Sequence, residues 1–99
     1  MIKKKPLQGS DRVVSVTFET GPRAAHTVSI AGEFNGWNPA ATPMKQRKDG
    51  CWSATMRLPR NQTYAYRFVV DGQEWVTDEH ADRTVPNEHG GTNSVVVVN

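Results

Sequence analysis

Tyr64-Ala65-Tyr66-Arg67-Phe68-Val69-Val70-Asp71-Gly72 alternates at strict spacing and then stops on a turn dipeptide. Tyr64, Tyr66, Phe68 and Val70 fall on one face of such a strand; Ala65, Arg67 and Val69 fall on the other. The same period of two recurs on both sides of this stretch. Upstream, Val14, Val16 and Phe18 share a face between Arg12 and Glu19, and Val28 and Ile30 alternate with Thr27, Ser29 and Ala31. Gly21-Pro22 separates those two runs, which predicts a hairpin or short meander between them. After Asp49-Gly50, Trp52, Ala54, Met56 and Leu58 line up against Ser53, Thr55 and Arg57. Downstream, a short strand is expected around Trp75–Thr77, then a polar loop from Asp78 to Gly91. Val95-Val96-Val97-Val98 is apolar on both faces and reads as a buried strand.

No segment carries a sustained helical period. Six to seven short strands with close turn signals predict an all-β, immunoglobulin-like antiparallel β-sandwich. At 99 residues the chain holds one two-layer core, expected over residues 11–99. Residues 1–10, with Lys3-Lys4-Lys5, are expected to form a flexible N-terminal tail. Net charge is +2, which does not by itself demand a polyanionic partner. With 1 cysteine, Cys51, no intrachain disulfide can form, and a reducing cytoplasm is the simplest compartment. The start of the chain does not read as a signal peptide, and no window approaches a membrane span.

The 3 tryptophans divide by context. Trp52 lies in register with a core face. Trp37, in Gly32-Glu33-Phe34-Asn35-Gly36-Trp37-Asn38-Pro39, and Trp75, after Asp71-Gly72-Gln73-Glu74, lie in or just past turns. A large ring left on a loop costs solvation unless something stacks on it. The apolar C–H face of a sugar is one such partner. A stack removing roughly 80–100 Å² of apolar area contributes about 2 kcal/mol at about 25 cal/mol/Å². Arg67, which points away from the Tyr64–Val70 core face, and Asn93 can serve the hydroxyl rim of a glucose chain. Each also has a plainer reading. Trp37 can fold over the sandwich end and Trp75 can roof a core. Arg67 can be a solvated strand residue and Asn93 a turn former.

The ordered set formed by Gly32 to Pro39, Met44, Asp49-Gly50-Cys51-Trp52, Leu58-Pro59, Tyr64 to Gly72, Trp75, Asp78 and Asn93-Ser94-Val95-Val96 closely resembles carbohydrate-binding module family 48. That family includes the glycogen-binding domain of the AMP-activated protein kinase β subunit. It also includes the early-set, isoamylase N-terminal-like domains of branching and debranching enzymes. The likeness runs from about Val13 to Val98. It implies a non-catalytic module binding α-1,4-glucan (glycogen, starch or maltooligosaccharide), with no cofactor and no metal. Residue by residue it implies Trp37, Arg67, Trp75 and Asn93 as the carbohydrate-binding set, with His89 as a loop contact. His89 stands where the kinase-type domains have a leucine. The hydrophobic plug is then missing, which bears on affinity for curved or cyclic glucans.

Catalysis is disfavoured by the residues themselves. Glycoside hydrolysis needs two carboxylates facing each other across a cleft, whereas Asp49, Asp71 and Asp78 sit at turns. His26, His80, His89 and Cys51 lack metal-ligand clustering, and no phosphate loop is present. Nucleic-acid binding is opposed by scattered basic residues and by Glu33, Glu74, Asp78 and Glu79 beside the tryptophans. The competing reading is a protein-interaction or regulatory early-set domain that docks on an α-glucan-active enzyme or a kinase. The sequence leaves open whether the chain stands alone or is part of a longer enzyme.

Overall fold

The computed structural model describes residues 1–7, 9, 11–87 and 90–99. Nine strands run in order through the described residues: β1 (Ile2–Pro6), β2 (Val13–Thr20), β3 (Val28–Gly32), β4 (Lys45–Gln46), β5 (Trp52–Pro59), β6 (Gln62–Val70), β7 (Glu74–Val76), β8 (Arg83–Pro86) and β9 (Thr92–Val98). One turn of 3-10 helix, Glu33–Asn35, follows β3. One sheet has the order β1-β2-β5-β4. The other has the order β3-β6-β9-β8, with β7 also paired to β6. All these pairings are antiparallel.

The two sheets face each other as the all-β sandwich expected from the alternation. Val14, Val16, Phe18, Trp52 and Leu58 of one sheet pack with Val28, Ile30, Tyr66, Phe68, Val96 and Val98 of the other. Phe18 meets Tyr66 edge-on with ring centroids 4.9 Å apart, which joins the layers at the centre. The Tyr66 hydroxyl is buried and donates to Asp78 Oδ2 at 2.7 Å. The rest of that carboxylate is also engaged. Asp78 Oδ1 accepts from the His80 N–H at 2.9 Å and from the Met1 amino group at 2.8 Å. Burial first, and then the Asp78 carboxylate, holds the Tyr66 hydroxyl pKa above its ordinary value.

Three expectations are corrected. The Val14 and Val28 runs do not form a hairpin: β2 pairs with β5 and β3 pairs with β6, in opposite sheets. Seven residues separate β2 from β3, more than a tight hairpin uses, and they carry the chain across the sandwich instead.

Second, the lysine run expected in a flexible tail is strand β1. Ile2 lies opposite Phe18, while Lys3 and Lys5 lie opposite Thr17 and Ser15 on the outer face. Lys3 reaches Glu19 at 3.0 Å and Lys4 reaches Asp82 at 2.7 Å. A row of lysines also protects an exposed sheet edge from pairing with another chain.

Third, the strand number exceeds six to seven. The excess comes from β1, the two-residue β4 and the edge strand β8, which lie in stretches that read as tail or loop. Trp52 does belong to the core, at 6% exposure. Its Nε1 donates to the Arg23 carbonyl at 3.1 Å.

Candidate functional site

Glycine decides how the first tryptophan is delivered. A Cβ on Gly32 would lie 2.6 Å from the Ala65 carbonyl oxygen and 2.8 Å from Tyr66 Cβ, so β3 can approach β6 this closely only without a side chain. Phe34 then turns inward onto Phe18 (5.6 Å) and Tyr64 (6.0 Å). Asn35 ties the turn together: its Oδ1 accepts from the Gly32 N–H, and its Nδ2 donates to the Ile30 carbonyl and to Thr42 Oγ1. Gly36 and Trp37 are consecutively left-handed, with φ of 67° and 61°. That conformation costs a tryptophan about 1 kcal/mol or more and is held by the Trp37 N–H bond to the Gly32 carbonyl at 2.8 Å. Each residue of the Gly-x-Phe-Asn-x-Trp motif therefore has a mechanical part in presenting the indole.

The other residues follow from strand register. Residues directly opposed across antiparallel strands share a face, as do alternate residues along one strand. Trp75 opposes Val69, and Val69 shares its face with Arg67 and Ala65. Ala65 opposes Val95, which shares its face with Asn93, and Asn93 opposes Val85. The connected pairings run Trp75, Arg67, Asn93, Val85 across the outer face of the β3-β6-β9-β8 sheet. Arg67 sits where β9 gives way to β7 along the edge of β6, a junction closed by Thr77 Oγ1 donating to the Thr92 carbonyl at 3.0 Å.

Trp37, Arg67, Trp75 and Asn93 line one groove of about 840 Å³. Trp75 is 37% exposed, so part of its ring faces solvent while the rest lies beside its cross-strand partner Val69. Trp37, Arg67 and Asn93 are half-buried. Arg67 Nε is buried and has no hydrogen-bond partner among the described residues. Such an unsatisfied donor calls for an acceptor, and an incoming hydroxyl oxygen is one. His89 lies outside the described residues. The loop that carries it is closed at its base, where the Asn87 N–H donates to the Gly91 carbonyl at 2.9 Å and the Gly91 N–H donates to Asn87 Oδ1 at 3.0 Å.

The groove also takes in Glu33, Ala65, Val85, Pro86 and Asn87, which the sequence reading did not single out. Ala65 could have been found from its period-two spacing to Arg67. Val85 and Pro86 could not, because their strand lies within a stretch that looks like loop. Glu33 Oε1 accepts from the Ala65 N–H at 2.6 Å, extending the ladder past the end of β3.

The turn aspartates serve the backbone: Asp71 Oδ1 accepts from the N–H groups of His26 and Thr27, and Asp49 Oδ1 from that of Cys51. Among the described residues no group of three or more His, Cys, Asp or Glu could hold a metal ion. Among the same described residues no helix is long and apolar enough to cross a membrane.

A family model described as the glycogen recognition site of AMP-activated protein kinase matches residues 3–99. The 1,4-alpha-glucan branching enzyme GlgB 2 of Xanthomonas campestris pv. campestris (strain 8004) is 39% identical over 57 residues, 57% of this chain and 8% of that enzyme. The chloroplastic/amyloplastic 1,4-alpha-glucan-branching enzyme of Oryza sativa subsp. japonica is 35% identical over 60 residues, covering 54% of this chain and 7% of that enzyme. The chain thus spans less than a tenth of the length of these curated relatives. Among solved structures, the enterobactin esterase FES from Shigella flexneri superposes with a TM-score of 0.75 at 12% identity, over 98% of this chain and 32% of that one. At that identity the likeness concerns the fold alone.

Proposed function

The chain belongs to the glycogen-recognition family of carbohydrate-binding modules, and from that premise we propose that the groove on its outer sheet face is the seat of the glucan. The module itself is a non-catalytic α-glucan binder. The observation that carries the seat is convergence. Trp37, Arg67, Trp75 and Asn93 come from four separate stretches of sequence and line one groove.

Trp37 and Trp75 accept the C–H faces of successive glucose rings, whose helical twist suits two platforms on different elements. Arg67 and Asn93 hold the hydroxyl rim between them. The Arg67 fork supplies several donors in one plane, and the Asn93 amide both donates and accepts. Glu33 adds a carboxylate acceptor at the edge of the same groove. An open seat of this kind loses much of its gross stacking energy to ordering of the sugar, so binding falls at about micromolar to millimolar. The test is titration of maltoheptaose against a β-linked cellulose oligomer of similar length, followed by tryptophan fluorescence or amide shifts. Saturable response to the maltooligosaccharide and weaker response to the flat β-linked chain support the seat. No response from the wild-type protein, or a response kept by the Trp37→Ala, Trp75→Ala double variant, overturns it.

A second reading draws on the relatives. The matched branching enzymes carry this region as 8% or less of their length, so a partner role beside an α-glucan-active enzyme or kinase subunit is compatible with the fold. In that reading the groove tethers the partner's chemistry to polysaccharide. Fusing or adding the domain to such a partner would then raise activity on glycogen more than on maltotriose.

A further inference from the structure

A second depression lies on the other side of Trp75. Its volume is about 700 Å³, within the range of small-molecule sites. Trp75 and Arg67 line both depressions, so these two residues are the wall the depressions share. The far cleft draws the rest of its wall from different parts of the chain, among them Arg23, Thr77, Glu79 and His80.

We propose that this far cleft takes further glucose units of the same α-glucan chain after it has crossed that shared wall. The inference rests on the reading of the outer groove as the glucan seat. Three observations support it. An indole 37% exposed and shared by two depressions can stack on one ring while the neighbouring units descend on either side. Arg67 can follow the chain across, because it too faces both.

The lining also has the right chemistry for a neutral polyol. Arg23 and Arg67 are fork donors, the His80 ring both donates and accepts, and Glu74 and Glu79 are acceptors, so both hydroxyl roles are met. The two buried carboxylates of the cleft are already committed, Glu19 to Lys3 and Arg47 and Asp78 to Tyr66 and its other donors. Cations and anions are therefore mixed along the wall, which disfavours a strongly charged ligand and leaves a hydroxylated one.

The cleft variant Arg23→Ala, His80→Ala isolates the idea. The fold uses backbone atoms of both residues: the Arg23 carbonyl holds Trp52 Nε1, and the His80 N–H caps Asp78. Side-chain removal leaves those bonds in place. Affinities for maltotriose and maltoheptaose are measured for wild type, the cleft variant and Trp37→Ala. The proposal expects wild type to gain about tenfold between the two sugars, and the cleft variant to keep its maltotriose affinity while most of that gain disappears. An undiminished gain in the cleft variant, with binding lost in Trp37→Ala, overturns the far cleft and leaves the groove standing. Loss of maltotriose binding in the cleft variant also overturns it. A wild-type protein that binds neither sugar overturns the groove and the cleft together.

Discussion

The Trp37 N–H donates to the Gly32 carbonyl at 2.8 Å, closing a turn in which the tryptophan is left-handed. The bond fixes the base from which the indole projects. It persists because Asn35 fastens both ends of the same turn, accepting from Gly32 and donating to Ile30 and Thr42.

Asn35→Ala should therefore weaken both fold and recognition. Three hydrogen bonds go, and half-buried backbone groups lose partners, at a cost of about 1–3 kcal/mol. Urea unfolding reads the stability loss, and a maltoheptaose titration reads a weaker response. Asn35→Asp keeps the acceptor for Gly32 and removes the two donations, so its cost should fall between wild type and alanine. Equal stability of all three proteins would contradict the role given to this side chain.

Trp75→Ala and Trp52→Ala should separate function from fold. Trp75 is 37% exposed, so its removal should cost clearly less stability than removal of the core tryptophan while abolishing most of the sugar response. Trp52 is 6% exposed and bonded to Arg23, so its removal should cost about 3–5 kcal/mol. Denaturant midpoints alongside fluorescence titration check both. A large stability loss in Trp75→Ala would mean that the ring roofs the core after all.

What could be read in advance followed from periodicity. The β5 and β6 faces alternate cleanly because each strand has one side against the opposite sheet, β9 reads as a strand from its β-branched run instead, and Arg67 stood out as the charged residue on the far side of β6. The sheet assignment of β2 and β3 was not legible: each shows one apolar face whether it turns back on its neighbour or crosses the sandwich. Lys3-Lys4-Lys5 looked like tail because pairing along a sheet edge depends on backbone, which composition does not reveal. In the site, Trp37 and Trp75 were visible as rings in turn-rich context. Val85 and Pro86 were not, since β8 acquires its place only through its register with Asn93 on β9.

Tyr66→Phe should destabilise the domain by about 1–3 kcal/mol while leaving glucan affinity unchanged. The hydroxyl is buried and bonded to Asp78 at 2.7 Å, whereas the ring contacts with Phe18 and Phe68 survive the substitution. Asp78 is only 4% exposed, so a lost donor is not replaced from bulk water. Thermal or urea unfolding measures the cost, and the maltoheptaose titration serves as the control. A neutral substitution would show that the remaining donors satisfy the carboxylate.

Acid should destabilise the domain through Glu19 and Asp71. The Lys3 hydrogen bond, followed by that of Arg47, holds the Glu19 carboxyl below its ordinary 4.5, against the opposing effect of burial. Backbone N–H groups of Thr27 and then His26 hold Asp71 below its ordinary 3.8. Both folded values are depressed, so the stabilisation is fully present above the unfolded values and is lost as pH falls through the folded ones. The melting temperature should hold steady from neutral pH down to about 5 and then decline below about 4. Asp71→Asn tests the second contribution: asparagine tolerates the left-handed φ of 52° at this turn yet carries no charge. The variant should melt lower than wild type at pH 7 and lose less on acidification. Parallel curves for the two proteins would remove Asp71 from the account.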